Sequence, residues 1–266
     1  HNPIVQDNIE KLKHYGYEIV EPAHGMLANG DMGDGRMPDE ELLFEYIVKE
    51  IAFEKDMTGK KVLVTAGATV EAIDPVRFIT NHSSGKMGFA LAKNAMLRGA
   101  EVTLVMGKCD SEPPVFANTV KVQSAKDMYD AVIERADSMD IIVKAAAVAD
   151  YRPKNVSSEK VKKQDGNMSI ELERTDDILK TLGERKNGQF ICGFSMETEN
   201  MLENSRKKLE KKNCDMIVAN NLKQDGAGFG GNTNIVTLIT KDDEVQLEKM
   251  TKDEVAEKIF DFILSR

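Results

Sequence analysis

The chain has 266 residues and a formal net charge of −9, with 41% apolar and 30% charged residues. These proportions are typical of a globular protein and argue against a disordered chain. The acidic balance disfavours nucleic acid as a partner, because binding to phosphate backbones requires a basic surface. No stretch approaches the roughly 20 consecutive apolar residues of a membrane helix, and the first residues do not resemble a signal peptide. We therefore expect a cytoplasmic protein without a membrane partner.

Residues 1–37 do not read as a self-sufficient domain. They contain one amphipathic segment, a short strand-like piece at residues 17–22 and the glycine-rich stretch LANGDMGDGRM. Residues 38–59 open with proline and acidic residues and then place apolar side chains at helical spacing, which predicts a linker helix. We expect the main domain to occupy residues 60–266.

From Lys60 the pattern changes to alternating strands and helices. Strand-like KKVLVTAG is followed by helix-like SSGKMGFALAKNAMLRGA and by a second strand, EVTLVMG. Further strands are predicted at VKVQ, DIIVKAAAV, SIELER, QFICGFSME, DMIVANN, NIVTLIT and EVQLEKM, and further helices at AKDMYDAVIERADSM, DDILKTLGERK, ENSRKKLEKKNC and KDEVAEKIFDFILSR. This order predicts an α/β fold: a Rossmann-like, doubly wound, mainly parallel sheet with helices on both faces.

The three cysteines, Cys109, Cys192 and Cys214, are far apart and odd in number. Neither a disulfide framework nor a zinc site is predicted from this spacing. We expect the cysteines to fill the core.

The residues after the first strand form the strongest candidate site, because ligands of such sheets bind beyond the carboxyl ends of strands. The small-residue turn at Gly67 is followed by Arg77, Asn81, Ser83, Ser84, Gly85 and Lys86, the last of which stand at a helix start. Unpaired backbone N–H groups at a helix N-terminus favour an anion, and guanidinium, amide and hydroxyl groups add donors for a phosphate or carboxylate. The alternative is that one of the serines only caps the helix.

Two later segments are further candidates. The strand KAAAV ends in small residues, so a flat ring or a ribose can approach the backbone at Ala146 and Ala147, and Asp150 can accept a hydrogen bond from a sugar hydroxyl. Such alanines are also typical of tight helix–sheet packing. The lysines of SSEKVKKQDG, which are Lys160, Lys162 and Lys163, can neutralise a triphosphate or simply form a solvated surface.

Five motifs follow one another along the chain: TAGATVEAIDPVRFITNHSSGKMG, KAAAVADYRPKN, EKVKKQ, GFSMETEN and DMIVANNL. Together they resemble phosphopantothenate-cysteine ligase, the second half of the bacterial bifunctional coenzyme A biosynthesis protein. The resemblance runs from about Lys60 to the C-terminus. The segments NPIVQDNIEKL and LANGDMGDGRM are similar to the last part of the family's flavin-dependent decarboxylase half.

The resemblance implies a ligase that uses CTP and Mg²⁺. The carboxylate of 4′-phosphopantothenate attacks the α-phosphate of CTP, giving an acyl-cytidylate and pyrophosphate, and the amine of cysteine then displaces CMP. Asn81 would stabilise the acyl-cytidylate, Arg77 would support that site and Lys160 would bind the triphosphate. The other implied nucleotide contacts are Gly67, Ser83, Ser84, Gly85, Lys86, Ala146, Ala147, Asp150, Lys162, Lys163 and Phe194. The resemblance also implies a homodimer in which the late glycine-rich loop reaches the partner, whereas the metal ligands stay unknown.

Two positions depart from the family pattern. The decarboxylase motif of the family reads Ala-Cys-Gly-Asp, whereas Ala28-Asn29-Gly30-Asp31 stands here, and an amide cannot donate the proton that the cysteine supplies. We therefore expect residues 1–37 to be the truncated end of a decarboxylase domain without activity, with FMN bound only by the missing part of that half. Asn221 stands where the family often has aspartate, so no role as a metal or charge partner is assigned to it.

Two other functions remain open on the sequence. A nicotinamide-dependent oxidoreductase would share the topology, but the first turn lacks G-x-G-x-x-G spacing and Met106-Gly107 stands where the acidic residue belongs. No Tyr-x-x-x-Lys pair opens a helix either. An inactive flavoprotein fragment is the second alternative, and it would purify as a yellow, high-order oligomer.

Overall fold

The structure is a computed structural model that describes residues 2–163, 167–197, 200–221 and 230–266, with the backbone alone at positions 197 and 221. The chain divides into two compact units, His1–Phe53 and Glu54–Arg266. Each unit is described by itself. Within the described ranges, no helix combines the length and the apolar character that crossing a membrane requires.

The first unit contains two helices and one hairpin: α1 (Pro3–His14), β1 (Ala23–Met26), β2 (Met32–Arg36) and α2 (Glu40–Ile51). The side chain of Asn2 caps α1 by accepting a hydrogen bond from the Ile4 N–H at 3.0 Å. The strand expected at residues 17–22 was wrong, because the neighbouring glycine-rich stretch forms the antiparallel β1–β2 hairpin instead. The helix expected as a linker, α2, lies within this unit.

The second unit combines strands and helices in turn, with short additional strands between them. Its elements are β3 (Lys61–Ala66), β4 (Val70–Ala72), β5 (Phe78–Thr80), α3 (Lys86–Leu97), β6 (Glu101–Met106), β7 (Asn118–Lys121), α4 (Ala125–Ala136), β8 (Ile141–Lys144), β9 (Tyr151–Pro153), β10 (Leu172–Arg174), α5 (Ile178–Arg185), β11 (Phe190–Glu197), α6 (Met201–Lys211), β12 (Met216–Asn221), β13 (Thr233–Asn234), β14 (Val236–Ile239), β15 (Glu244–Gln246), β16 (Met250–Thr251) and α7 (Lys252–Leu264).

The central sheet has eight strands in the order β15-β14-β12-β11-β8-β3-β6-β7. The six strands from β12 to β7 are parallel, and β14 and β15 are antiparallel additions at one edge. After β7 the chain returns to the other side of β3 to form β8, so the strand order reverses between β3 and β8. Ligands of doubly wound sheets bind beyond the carboxyl ends of the strands at such a point. The predicted fold class is confirmed.

Helices cover both faces of the sheet. Leu63, Ile142 and Ile191 of three neighbouring strands share one buried cluster with apolar residues of α4, α5 and α6. On α3, a Cβ built at Gly88 would lie 2.5 Å from the Cβ of Ala66, which has the opposite parity to Leu63 along β3. Successive side chains of a strand point to opposite faces, so α3 covers the other face, where α7 packs against it. This arrangement leaves the strand ends open for a ligand.

Three small antiparallel sheets flank the central one: β4–β5, β9–β10 and β13–β16. The predicted strand SIELER is β10, and it pairs with β9 outside the central sheet. The predicted strand DIIVKAAAV ends early, at Lys144. Its continuation leaves the ladder because the Ala146 N–H donates to Thr65 Oγ1 and the Ala147 N–H donates to the Gly67 carbonyl. These bonds direct the loop after β8 towards the turn after β3.

Candidate functional site

Two cavities flank the carboxyl end of β8. The larger has a volume of about 580 Å³ and is bounded by the loop after β8 and by α5 and α6. The smaller has a volume of about 40 Å³ and lies at the N-termini of α3 and α7. Lys144 lines the large cavity and Ala145 lines the small one, as expected for successive side chains at a strand end. The residues predicted as one site therefore divide between two neighbouring cavities.

The small cavity contains the turn predicted to bind phosphate. Its walls include Gly67, Ser83, Ser84, Gly85, Lys86 and Phe194. Gly85 is the N-cap of α3 in the left-handed conformation, with no capping side chain, and its N–H donates to Ser83 Oγ at 3.3 Å. A serine N-cap, the alternative considered for this turn, is therefore not formed by either serine. The Lys86 ammonium donates to Asn232 Oδ1 at 2.8 Å and to the Gly230 carbonyl at 3.2 Å.

Cys109 packs between two glycines of this cavity and leaves no room for a side chain at either position. Gly67 has φ +77° and Gly85 has φ +81°, and a Cβ at either position would lie within 2.6 Å of Cys109 Sγ. Left-handed backbone and absent space both exclude other residues here. Burial raises the pKa of the Cys109 thiol to about 11, so the thiol stays neutral and acts as a packing group. The other two cysteines are buried free thiols.

Lys252, which sequence reasoning did not select, also lines the small cavity. It is the first residue of α7 and is 7% exposed. Burial lowers the pKa of Lys252, and the nearby charge of Lys86 lowers it further. Its run of sequence, TKDEVAEK, indicates only a helix start, so no sequence signal distinguishes it from an ordinary surface lysine.

Arg77 anchors the lysine loop. Its guanidinium donates to Asp74 Oδ2 through Nε at 3.0 Å and Nη2 at 2.5 Å, and Nη2 also donates to the Val161 carbonyl at 2.9 Å. The Val161 N–H in turn donates to Asp74 Oδ2 at 3.2 Å. The hydrogen bonds from Arg77, together with backbone N–H donors, hold the pKa of the Asp74 carboxyl well below its usual range. Arg77 thus positions the segment on which Lys160 stands.

The lysine loop itself projects outward. Lys160, Lys162 and Lys163 are exposed, and residues 164–166, which follow them, lie outside the described residues. The late glycine-rich loop that was expected to reach a partner subunit also falls mainly on residues 222–229, outside the described part of the chain. The side chain of Asn221 is outside it as well.

Asn81 contacts the loop that borders the large cavity. Its Nδ2 donates to the Val148 carbonyl at 3.1 Å, and Val148, Ala149 and Asp150 all line the large cavity. Asn81 and Asp150, which are 69 positions apart in the sequence, are thereby brought to the same edge of the sheet. Ala146 and Ala147 line neither of these two cavities, and both of their backbone N–H groups are engaged within the protein.

The large cavity is rich in cations that sequence reasoning missed. Its walls include Lys144, Arg174, Lys207, Lys208, Lys211 and Lys212. Lys208 donates to the Phe194 carbonyl at 2.9 Å, and Lys212 forms an ion pair with Asp177, the N-cap of α5. The run SRKKLEKK by itself predicts only a solvated helix face. Its lysines share a cavity with β8 because of the order of the strands, which the sequence does not show directly. A cavity of this size and charge can hold a small anionic ligand.

Asn29, the residue that departs from the decarboxylase motif, lies in the β1–β2 turn of the first unit. Asn29 Nδ2 donates to Asp31 Oδ2 at 2.8 Å, and the Asp31 N–H donates back to Asn29 Oδ1 at 3.1 Å. The Asn29 side chain thus stabilises the turn in which it stands.

Comparison with known proteins identifies the family. Residues 57–266 match the model of the DNA/pantothenate metabolism flavoprotein C-terminal domain, and residues 1–52 match the flavoprotein family model. The chain belongs to the DNA/pantothenate metabolism flavoprotein family. The resemblance recognised from the five motifs is confirmed, and the nicotinamide-dependent alternative is not favoured.

Individual relatives agree with this assignment. The coenzyme A biosynthesis bifunctional protein CoaBC of Bacillus subtilis is 50% identical over 91% of this chain and 60% of its own length. A cysteine/cysteine sulfinic acid decarboxylase from an unknown prokaryotic organism is 44% identical over 99% of this chain and 76% of its own. The crystal structure of the C-terminal domain of CoaBC is 49% identical, with a TM-score of 0.67 over 78% of this chain and 95% of that domain. The chain thus spans less than two thirds of the B. subtilis relative.

Proposed function

We propose that the Glu54–Arg266 unit is a ligase that joins 4′-phosphopantothenate to cysteine at the expense of CTP. The observation that carries the proposal is the cation-rich large cavity at the carboxyl end of β8, with Asn81 and Asp150 at its border. Family membership supports the reaction, since the B. subtilis relative is named for coenzyme A biosynthesis. The product is 4′-phosphopantothenoylcysteine.

In the first half-reaction, the substrate carboxylate attacks the α-phosphate of CTP and pyrophosphate leaves. A free carboxylate is a poor acyl donor, and the cytidylate supplies the leaving group that it lacks. The cytidine would occupy the large cavity, with the Asp150 carboxylate accepting a hydrogen bond from a ribose hydroxyl. The phosphates would extend towards the turn of Gly67 and Ser83–Lys86, where backbone N–H groups at the start of α3 meet negative charge.

The lysine loop would complete the phosphate site. Lys160 would neutralise charge that develops on the departing pyrophosphate, with Lys162 and Lys163 beside it. Arg77 contributes by fixing Val161 next to Lys160, through the contacts with Asp74. Ala146 and Ala147 would offer their small surface to the nucleotide, and Phe194 would line the pocket from β11.

In the second half-reaction, the amine of cysteine attacks the acyl carbon and CMP leaves. Asn81 would stabilise the acyl-cytidylate by donating a hydrogen bond to it, while its place at the Val148 carbonyl keeps the amide orientated. An amide suits this position because it adds a donor without adding another negative charge to a site that already holds several anions.

Mg²⁺ fits this site only as a companion of the triphosphate. Within the described residues there is no group of three or more histidine, cysteine or acidic side chains that could form a metal cage. Mg²⁺ usually keeps several waters and needs one or two carboxylates in addition to phosphate oxygens. Asp176 lines the large cavity, so it would hold the metal, directly or through its waters, only where the α-phosphate joins the cytidine bound there. When bound, Mg²⁺ would neutralise charge on the phosphates.

We further propose that residues 1–37 belong to a decarboxylase domain and are inactive here, since Asn29 cannot serve as the proton donor. Residues 38–59 would link this part to the ligase domain at residues 60–266. FMN would bind to the decarboxylase half and not to the ligase domain. The ligase would act in the cytoplasm as a homodimer.

The test is direct. The protein is incubated with 4′-phosphopantothenate and Mg²⁺, with either CTP or ATP and without cysteine, and pyrophosphate and acyl-nucleotide are measured. We expect both products with CTP, and amide formation after cysteine is added. Absence of acyl-nucleotide with both nucleotides would contradict the proposal.

A further inference from the structure

The ammonium group of Lys144 has no part in the steps proposed above, although it stands in the large cavity. Lys144 is the last residue of β8, and it shares parity with Ile142, which packs in the cluster with α5 and α6. Its side chain therefore extends to the face of the sheet where the large cavity lies, and it lines that cavity. Among the described residues, no hydrogen bond or ion pair reaches its ammonium.

The charged groups that face Lys144 do not supply a dedicated counter-ion. Lys208 and Lys212 approach from α6 and its end, Asp177 caps α5, and Asp150 stands in the loop after β8. Asp177 is already paired with Lys212 and also accepts the Lys180 N–H at 2.9 Å. Asp150 is exposed to solvent. Lys144 is thus a partly buried cation among other cations, which is unfavourable unless an anion enters the cavity.

The titration behaviour of this amine agrees with that environment. Burial, and after it the charge of Lys208, lowers the pKa of Lys144 to about 8, although Asp177 and Asp150 act in the opposite direction. The neutral form of Lys144 is therefore easier to reach than that of an exposed lysine. A bound anion would favour the charged form and raise this pKa.

We propose that Lys144 is a further nucleotide-binding residue, whose ammonium makes a charge-assisted hydrogen bond to an oxygen of the nucleotide in the large cavity. This inference rests on the proposed function, because it requires that a nucleotide occupies this cavity. Lys208 and Lys212 are held by the Phe194 carbonyl and Asp177, whereas the contact of Lys144 is made only with the ligand. Nucleotide binding then draws a proton onto Lys144, since the complex favours the ammonium.

Proton uptake provides the test. Calorimetric titration of the whole chain with CTP at pH 8, in two buffers of different protonation enthalpy, measures the protons bound per nucleotide. Uptake of a fraction of a proton is expected, because the lowered pKa leaves part of the free protein with a neutral Lys144 at this pH. In Lys144→Arg, which stays charged at this pH, the uptake should fall by that amount while CTP still binds.

A second variant removes the charge. Lys144→Met should lose the same uptake and bind CTP about tenfold more weakly at pH 7, the loss expected for one charge-assisted hydrogen bond. Lys180→Met is the matched control, since Lys180 is an exposed lysine of α5 that pairs with Glu184 and does not line the cavity. It should retain the affinity and the proton uptake of the unchanged protein. Thermal melting checks that all variants are folded.

The outcomes separate the two proposals. If the unchanged protein binds no CTP, the nucleotide function itself fails, and this inference fails with it. If CTP binds and both Lys144 variants keep the affinity and the uptake of the unchanged protein, only the inference about Lys144 is overturned. Repeating the titration with cytidine locates the contact: uptake with cytidine assigns it to the base or ribose, and uptake only with CTP assigns it to the phosphates.

Discussion

The two cavities beside β8 differ in how the protein holds one lysine of each. In the small cavity, Lys86 is bonded to Asn232 and Gly230, and Cys109 fills the space between two glycines. In the large cavity, Lys144 forms no ion pair with any of the described residues. A partly buried cation without an ion pair is unfavourable, and such cations are found where a bound ligand supplies the partner. Under the proposed function, the backbone of the small cavity would meet the phosphates, and the large cavity would hold the rest of the nucleotide.

The largest effect is expected at Asn81, which contacts the loop after β8. Asn81→Asp replaces the donor at the Val148 carbonyl by a carboxylate and adds a negative charge where the acyl-cytidylate is proposed to lie. We expect acyl-nucleotide to form while amide formation falls by about 100- to 1,000-fold, the loss typical of one donor to a developing oxyanion. Quenched-flow separation of the two steps measures this.

The matched control for Asn81 is Asn118→Asp, an exposed residue at the start of the edge strand β7. This variant makes the same chemical change on an edge strand that is separated from β8 by two other strands, and it should leave both half-reactions unaltered. Unimpaired amide formation by Asn81→Asp would remove Asn81 from its proposed role.

At the small cavity, we expect a substitution that adds side-chain volume to lower the stability of the protein. Gly85→Ala forces a left-handed residue to carry a Cβ that would lie 2.5 Å from Cys109 Sγ. Backbone strain and overpacking together should lower the free energy of unfolding by about 2–5 kcal/mol, as measured by urea denaturation. Gly188→Ala is the control for strain alone, because its φ is +90° and a Cβ at this position would have no neighbouring atom within 4 Å.

The double variant Gly85→Ala/Cys109→Ala separates the two contributions. Removing the sulfur should recover the overpacking part and leave the cost of the left-handed backbone. No recovery would show that Cys109 does not restrict this turn.

How the sequence relates to this site differs from residue to residue. The alternation of strands and helices after Lys60 was enough to predict the fold, because each element carries its own period of apolar residues. Asn81 and the Ser83–Lys86 turn could be selected because they lie between the first predicted strand and the helix that follows it. Lys144, Lys208 and Lys252 could not, since β8, α6 and α7 meet only through the strand order and the packing of the helices. A lysine in a helical run is interpreted as solvated until its neighbours in space are known.

Arg77 illustrates the same limit in another way. The sequence suggested a direct contact with the anion, whereas the structure gives its guanidinium to Asp74 and Val161. Asp74→Asn should therefore loosen the Lys160 loop and raise the KM for CTP several-fold, with a smaller change in kcat. Steady-state kinetics with CTP as the varied substrate measures this. A kcat loss without a change in KM would argue against a positioning role.

Asp74 also predicts a dependence of stability on pH. Its folded-state pKa is lowered, so its contribution is present above the unfolded-state value of about 4 and is lost as the pH falls towards the folded-state value. Asp74→Asn should thus destabilise the protein more at pH 7 than at pH 3, as measured by urea denaturation at both values. An equal difference at the two pH values would show that the charge of Asp74 does not act in this way.

The smallest expected effect tests the phosphate end. Lys86→Met removes an ammonium already bonded to two oxygens of the protein, so its remaining interaction with a triphosphate should be worth about 1 kcal/mol, or about fivefold in affinity. The loss should increase from CMP to CDP to CTP and be absent for cytidine, whereas a residue of the large cavity that contacts the base would show the same loss for all four. Calorimetric titration with the series, and with Lys180→Met as the control, distinguishes them. An equal loss for cytidine and CTP would reverse the assignment of the two cavities.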